Sequence, residues 1–164
     1  MSRDRFLDII SLMRFDDLNT REERRSSDKL AAFREVFTKF VEHCKESFKC
    51  HSHLTVDEQL VSFRGKCPFR VYMKSKPAKY GIKIWALVHA TITYAANLQI
   101  YTGKDGNKPE KDQGKRVVLD LVSFLKTGYG ITTDNFFTSV PLAKQLLDRQ
   151  ITLCGTLRKN KQDI

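Results

Sequence analysis

The chain has 164 residues, a formal net charge of +10 and a pI of about 9.6. This length fits one ordinary domain with room for a flanking piece, and 41% hydrophobic with 29% charged residues is a globular rather than a disordered composition. So basic a balance favours polyanionic partners, either nucleic acid or an anionic membrane surface. The four cysteines match no disulfide framework and no stretch is long and apolar enough to span a bilayer, which indicates a reducing, intracellular compartment.

Apolar residues at helical spacing predict a helical segment over residues 1–50. Residues 3–15 carry a short amphipathic stripe, and residues 16–27 form a polar, charged stretch after it. Ser26, Ser27 and Asp28 are candidate caps for a second, stronger helix. The apolar face of that helix consists of Leu30, Phe33, Phe37, Phe40, Val41, Cys44 and Phe48.

From residue 53 onward the pattern changes to runs of β-branched and aromatic residues, which predict strands. These strands are expected at residues 53–57, 69–73, 82–89 and 94–101. A polar loop at 103–114 then precedes a helical stripe at 117–125, a strand at 128–133, a helix at 139–147 and a strand at 151–157. A meander that passes into alternating helices and strands predicts an α/β fold, a mixed sheet with helices packed on it.

Two aspartates stand out among these elements. Asp57 interrupts an otherwise apolar strand, and Asp134 lies at the C-terminal end of another. A carboxylate among apolar neighbours is costly unless it is paired, hydrogen-bonded or bound to metal, and carboxylate oxygens suit Mg²⁺ or Mn²⁺. Two such ions about 4 Å apart support phosphodiester cleavage. The alternative is that both residues are turn or cap residues, because Asp is common at strand ends.

Residues 64–83, here called the basic segment, carry cations and no acidic residue. The cations are Arg64, Lys66, Arg70, Lys74, Lys76, Lys79 and Lys83, and the interleaved aromatic residues are Phe63, Phe69, Tyr72 and Tyr80. Cations neutralise phosphates and aromatic rings stack on unpaired bases, so the basic segment predicts nucleic-acid contact. The alternative is a solvated face of a basic protein. Arg158, Lys159 and Lys161 would extend the positive surface.

A structural zinc site is not favoured. The nearby side chains His43, Cys44, Cys50, His51 and His53 have spacings that fit no usual paired-ligand pattern. His89 ends an apolar strand and is interpreted as a core or edge residue rather than a ligand.

Seven segments, in order along nearly the whole chain, resemble the piggyBac family of transposases and their domesticated relatives. They are MSRDRF at 1–6, LTVDEQL at 54–60, FRGKCPFR at 63–70, KPAKYGIKIW at 76–85, YTG at 101–103, TDNFFTS at 133–139 with PLA at 141–143, and GTLR at 155–158. Each segment alone is modest, but seven in register are highly specific.

The resemblance implies a partial RNase H-like mixed sheet with flanking helices, in which the strands that carry Asp57 and Asp134 are neighbours. It implies DDE chemistry: these aspartates hold Mg²⁺ or Mn²⁺, water cuts the transposon end, and the freed 3′-hydroxyl then attacks to give a hairpin and joining at TTAA sites. Residues 1–50 resemble the end of the dimerisation and DNA-binding region, and residues 51–164 the first part of the catalytic domain. The expected partners are DNA and a second copy of the chain in the nucleus, with no membrane and no small-molecule substrate.

The chain departs from the family pattern where activity is concerned. The family's third catalytic aspartate lies well beyond the strand near Leu157, the cysteine-rich C-terminal module has no match, His89 stands where the family often has an acidic residue, and Met1 aligns with an internal position. We therefore expect a truncated, transposase-derived DNA-binding fragment that binds metal weakly or not at all and is not catalytically competent alone. The alternatives are part of an active DDE transposase and a domesticated, non-catalytic protein-interaction adaptor.

Overall fold

A computed structural model describes residues 1–104 and 110–159. By its contacts the chain divides into two compact units, Met1–Phe40 and Val41–Ile164. The helices are α1 Arg3–Leu12, α2 Leu18–Ser27, α3 Arg34–Ser47, α4 Gln113–Leu121 and α5 Val140–Asp148. The strands are β1 His53–Ser62, β2 Val71–Tyr72, β3 Tyr80–His89, β4 Ala95–Ile100, β5 Gly130–Thr133 and β6 Thr152–Gly155.

The unit Met1–Phe40 contains α2, a helix that the sequence pattern did not predict. The helix is polar on all sides, and no residue of it is buried. It is held by its termini instead: Asp17 accepts a hydrogen bond from the Asn19 amide, and Arg24 Nη1 donates to the Ala31 carbonyl at 2.8 Å. The Asp16 carboxylate accepts hydrogen bonds from Arg21 and Arg24, and the Arg21 bond is the main reason that the pKa of Asp16 falls to about 2. Caps and ion pairs carry no apolar periodicity, so the pattern missed this helix.

A six-stranded mixed sheet organises the unit Val41–Ile164. The strand order is β2-β3-β1-β5-β6, and β4 also pairs with β3. The β1–β3 and β3–β4 pairs are antiparallel, whereas the β1–β5 and β5–β6 pairs are parallel. The predicted α/β fold, a mixed sheet with flanking helices after a helical segment, is confirmed.

One face of the sheet packs against α4 and α5. Because side chains alternate along a strand, Leu54 and Val56 of β1 point to the same face as Leu87 of β3 and Ile131 of β5. All four are buried, with relative exposures of 1% or less. The helices cover them with Val117, Val118, Leu121, Leu142 and Leu146. We call this side of the sheet the core face, and it is the side on which hydrophobic burial stabilises the fold.

All six strands differ in length from the prediction, and β1 and β2 show the physical reasons. β1 continues five residues past Asp57 because it pairs with β3 as far as Ser62, opposite Gly81. β2 is shorter than residues 69–73 because the chain turns first: the Arg70 amide donates to the Cys67 carbonyl at 3.3 Å. Pro68 lies in that turn and has no amide hydrogen that could form a hydrogen bond to a neighbouring strand.

α4 begins against the turn that follows β5, and Gly114 makes this approach possible. A Cβ atom on Gly114 would lie 2.6 Å from the Phe136 carbonyl oxygen and 2.9 Å from the Phe137 Cα. Both neighbours are backbone atoms, which cannot move aside as a flexible side chain could. α4 can therefore pack this closely against the turn after β5 only because residue 114 is glycine.

We predict that Gly114→Ala destabilises the protein, although Gly→Ala within a helix ordinarily stabilises by about 1 kcal/mol. The clash should lower the free energy of unfolding by about 1–3 kcal/mol, as measured by urea denaturation. Gln145→Ala on the exposed side of α5 is the control and should shift stability by less than about 0.5 kcal/mol. A stabilised Gly114→Ala protein would contradict the packing described here.

Candidate metal and nucleic-acid site

Asp57 lies in the middle of β1 with its side chain on the face opposite the core face. The burial pattern alternates along this part of the strand, with Leu54 and Val56 buried and Asp57 exposed. Its Oδ1 atom accepts a hydrogen bond from the Glu58 amide at 2.7 Å. No hydrogen bond or ion pair to its Oδ2 atom is present among residues 1–104 and 110–159.

Asp134 follows β5 directly and organises the turn after it. Its Oδ1 atom accepts hydrogen bonds from the amides of Phe136 at 2.9 Å and Phe137 at 3.4 Å. Its carbonyl oxygen accepts from the amide and the hydroxyl of Thr138 at 3.0 and 2.7 Å. The capping role that the sequence left open is therefore present, and it uses one carboxylate oxygen of the two.

The parallel pairing of β1 with β5 brings these aspartates to adjacent positions. Val56 is the register partner of Thr133, so Asp57 in β1 and Asp134, the residue directly after β5, each follow this last register pair. Neighbouring strands are separated by about 4.8 Å, and residues in register share a face. The β1–β5 register thus brings the backbone positions of Asp57 and Asp134 close together, although 76 residues separate them in sequence.

The donor set at this position fits a hard cation. Each aspartate contributes a carboxylate whose second oxygen accepts no hydrogen bond within the described ranges, and carboxylate oxygens are the ligands that Mg²⁺ and Mn²⁺ prefer. Mg²⁺ in proteins is commonly bound through one or two carboxylates, with water completing the shell. No cluster of three or more His, Cys, Asp or Glu side chains suited to a metal ion exists in the described part of the chain.

The basic segment lies along β2, the start of β3 and the loops beside them. Arg64, Lys66, Lys74 and Lys79 are exposed. Arg70 is exposed too, with its guanidinium carbon 5.7 Å from the centre of the Tyr80 ring. Tyr72 and Tyr80 are cross-strand partners whose ring centres are 4.8 Å apart, and both are more than half exposed. Cations and stackable rings are therefore presented together to solvent.

Lys76 and Lys83 differ from the other five cations because they contact Glu58. Lys83 Nζ lies 2.9 Å from Glu58 Oε2, and the Lys83 side chain is only 14% exposed. Lys76 Nζ lies 3.8 Å from Glu58 Oε1 and donates to the Glu58 carbonyl oxygen at 3.1 Å. The sequence treated all seven cations as equivalent because Glu58 lies outside residues 64–83 and reaches them only through the β1–β3 pairing.

Two further residues singled out by the sequence have clear surroundings. His89 is buried, and its Nδ1 atom accepts from the amides of Thr91 at 3.2 Å and Ile92 at 3.4 Å, which places it in the core. Arg158 Nε donates to the Asn135 side chain at 2.8 Å, so the basic tail approaches the Asp134 turn. Lys161 lies outside the described residues.

A family model described as Transposase IS4 matches residues 1–164. The chain belongs to this family of DDE transposases. PiggyBac transposable element-derived protein 3 of Homo sapiens is 27% identical over 169 residues, which cover 99% of this chain and 28% of that protein. PiggyBac transposable element-derived protein 2 of Homo sapiens is 26% identical over 167 residues, which cover 98% of this chain and 28% of that protein.

The fold agrees with this transposase family. The cryo-EM structure of a piggyBac transposase synaptic complex with hairpin DNA matches with a TM-score of 0.91 and 40% identity. The match covers 100% of this chain and 35% of that one, so the transposase-family chain spans about a third or less of the length of these relatives. The piggyBac likeness predicted from the seven segments is thereby confirmed. Among the residues described, no helix combines the length and apolar character needed to cross a membrane.

The sequence missed Glu58 and Phe136 as parts of this region of the transposase fold. Glu58 follows Asp57 but points to the core face, where Trp85 is its register partner. Phe136 contributes its amide to Asp134 and its ring to the surroundings of Lys83, 5.0 Å from the Lys83 Nζ atom. The only signal available in sequence was their position inside the LTVDEQL and TDNFFTS segments.

The two roles open to Asp134 can be separated by substitution. Asp134→Ala removes the acceptor of the Phe136 and Phe137 amides and should lower the free energy of unfolding by about 0.5–2 kcal/mol. Asp134→Asn keeps a side-chain carbonyl acceptor, so its loss should be only a few tenths of a kcal/mol, on the order seen among good capping residues. Urea unfolding of both variants is the measurement. Equal losses for Ala and Asn would show that the turn does not depend on this acceptor.

Proposed function

We propose that the chain is the DNA-binding part of a DDE transposase core, with Asp57 and Asp134 as two of its metal ligands. The observation that carries the proposal is the β1–β5 register, in which Asp57 and Asp134 directly follow the paired residues Val56 and Thr133. Membership of the DDE transposase family supports the same roles for these residues.

Within this proposal, Asp57 and Asp134 hold Mg²⁺ or Mn²⁺ through the carboxylate oxygens that accept no hydrogen bond from the described residues. Such an ion, when bound, supplies activation of the attacking oxygen and charge stabilisation at phosphorus. The chain's own amides orient the carboxylates: Glu58 donates to Asp57, and Phe136 and Phe137 donate to Asp134. Two carboxylates hold a cation weakly, and the groups of such sites act as a unit, so residues 1–164 alone do not cut DNA.

The surface that contacts DNA is formed by the exposed cations Arg64, Lys66, Arg70, Lys74 and Lys79. Lys76 and Lys83 contribute less, because their ammonium groups are committed to Glu58. Tyr72 and Tyr80 add rings at the same edge of the sheet. The resolved piggyBac relative is a complex with hairpin DNA, which supports a DNA partner for this chain.

Assembly and location belong to the same proposal. Residues 1–50 act in dimerisation and DNA binding, and residues 51–164 form the first part of the catalytic domain. In the unit Met1–Phe40, α1 buries none of its residues and leaves Phe6, Ile9 and Ile10 about half exposed, which supports a second copy of the chain as a partner. A protein that acts on chromosomal DNA in this way works in the nucleus.

Charge reversal of the basic segment tests the DNA-binding surface. We expect the quadruple variant R64E, K66E, K74E and K79E to bind duplex and hairpin DNA at least about 100-fold more weakly at low salt, and its affinity to fall less steeply with salt, because fewer counterions are released. Fluorescence anisotropy titrations across a range of salt concentrations measure both quantities.

The control for this variant reverses cations elsewhere on the same unit. K126E, K144E and K115E change exposed or partly exposed helix and turn positions outside the basic segment. Their effect should be several-fold smaller than that of the quadruple variant. Equal losses for the two sets would reduce the basic segment to a solvated face. Weak, salt-insensitive DNA binding by the wild-type chain would favour the protein-interaction adaptor instead.

Nuclease competence is tested with supercoiled plasmid and with a TTAA-containing hairpin duplex, each with Mg²⁺ or Mn²⁺. We expect residues 1–164 to nick neither substrate above the level of Asp57→Ala, because loss of one member of a catalytic unit removes most of its rate enhancement. Robust cleavage by the wild-type chain that Asp57→Ala abolishes would show that these residues carry a complete active site.

A further inference from the structure

Lys83 occupies an enclosure formed by three aromatic rings on the core face of the sheet. Its Nζ atom lies 5.0 Å from the centre of the Phe136 ring, 5.1 Å from that of Trp85 and 5.7 Å from that of Tyr101. An ammonium group within about 6 Å of an aromatic face is attracted by the ring quadrupole, and more strongly when it is partly desolvated. The position of Lys83 is thereby restricted, and so is its access to a phosphate in solvent.

The enclosed ammonium is also bonded to the residue that follows Asp57. Lys83 Nζ lies 2.9 Å from Glu58 Oε2, and both side chains are mostly shielded from water, at 14% and 21% exposure. A charged pair in such surroundings costs a large penalty when one partner is removed, because the other charge is left without compensation. Lys76 offers Glu58 only a longer contact of 3.8 Å. Lys83 is therefore the principal partner that holds the Glu58 side chain on the core face.

The same ammonium contacts the turn that carries Asp134. The Phe136 ring lies under Lys83 Nζ, and the Phe136 amide donates to Asp134 Oδ1 at 2.9 Å. The Glu58 amide donates to Asp57 Oδ1 at 2.7 Å. Each aspartate thus accepts a hydrogen bond from the backbone of a residue whose side chain is held by Lys83.

We propose that Lys83 is a positioning residue for the two aspartates. By holding the side chains of Glu58 and Phe136, it holds the two backbone segments that carry Asp57 and Asp134. The test by Mn²⁺ affinity rests on the proposed function, whereas the test by backbone hydrogen exchange does not. With this role, Lys83 is not part of the DNA-contact surface.

Manganese affinity gives a readout whose sign separates positioning from simple electrostatics. Removing a positive charge near a cation site should tighten Mn²⁺ binding by Coulomb attraction alone. If Lys83 positions the carboxylates, Lys83→Met should instead weaken Mn²⁺ binding by about 10-fold or more, as loss of an outer-shell partner does. The free-Mn²⁺ electron paramagnetic resonance signal reports affinity, with Asp57→Asn as the baseline and Lys144→Met as the matched charge control.

Backbone hydrogen exchange gives the metal-free readout. In Lys83→Met, the amides of Glu58, Phe136 and Phe137 should exchange at least about 10-fold faster, while those of Val118 and Leu146 in the packed helices change by less than about 2-fold. The same local acceleration is expected in Glu58→Gln, which removes the ion pair from the other side and serves in place of Lys83→Met if that variant does not fold.

The outcomes are distinguishable. Local acceleration together with weakened Mn²⁺ binding supports the positioning role. Unchanged exchange at Glu58 and Phe136, uniform acceleration across the sheet and helices, or tighter Mn²⁺ binding in Lys83→Met would each overturn it. If the wild-type chain binds Mn²⁺ no better than Asp57→Asn, the metal part of the proposed function fails, and the exchange measurement alone decides the role of Lys83.

Discussion

The parallel pairing of β1 with β5 is the constraint on which the other features of the site depend. It joins strands far apart in sequence, and two parallel strands in one sheet need a long crossover between them. Here that connection includes β2, β3, β4 and α4, and α4 returns over the core face. Once Val56 and Thr133 are in register, Asp57 and Asp134 occupy adjacent positions, and the alternation of side chains along β1 puts Asp57 on the face opposite the core face. A one-residue slip of β1 would place Asp57 among the buried residues.

The sequence predicted the elements of this sheet better than their contacts. Periodicity located the strands around Leu54, Leu87 and Ile131 because alternating burial leaves a local trace. It missed α2, whose stability comes from caps and from the Asp16 ion pairs, and it began β2 at Phe69, inside the turn that Arg70 and Cys67 close. The adjacency of Asp57 and Asp134 came only from the family likeness, because strand order is a long-range property that a single chain's pattern does not encode.

Counting charges along the sequence did not predict the ion pairs of Glu58. Within residues 64–83 there is no acidic residue, yet Glu58 binds two of the seven cations there, because β1 and β3 are antiparallel neighbours. An ion pair of this kind depends on strand register and on which face each side chain takes, and neither is visible in a list of charges. The five remaining cations are exposed. The surface open to a polyanion therefore has five cations rather than the seven counted in the sequence, and these five lie around β2.

The placement of charge on the two faces of the sheet has a consequence for metal chemistry. A lysine beside two carboxylates would neutralise them and compete with a cation for their oxygens. Lys76 and Lys83 of the basic segment are instead paired with Glu58, and Lys83 shares the core face with it. No ion pair to Asp57 or Asp134 is present among the described residues. Under the proposed function, the pairing of Lys76 and Lys83 with Glu58 leaves the two aspartates to a divalent ion, and the exposed cations near β2 remain open to phosphate.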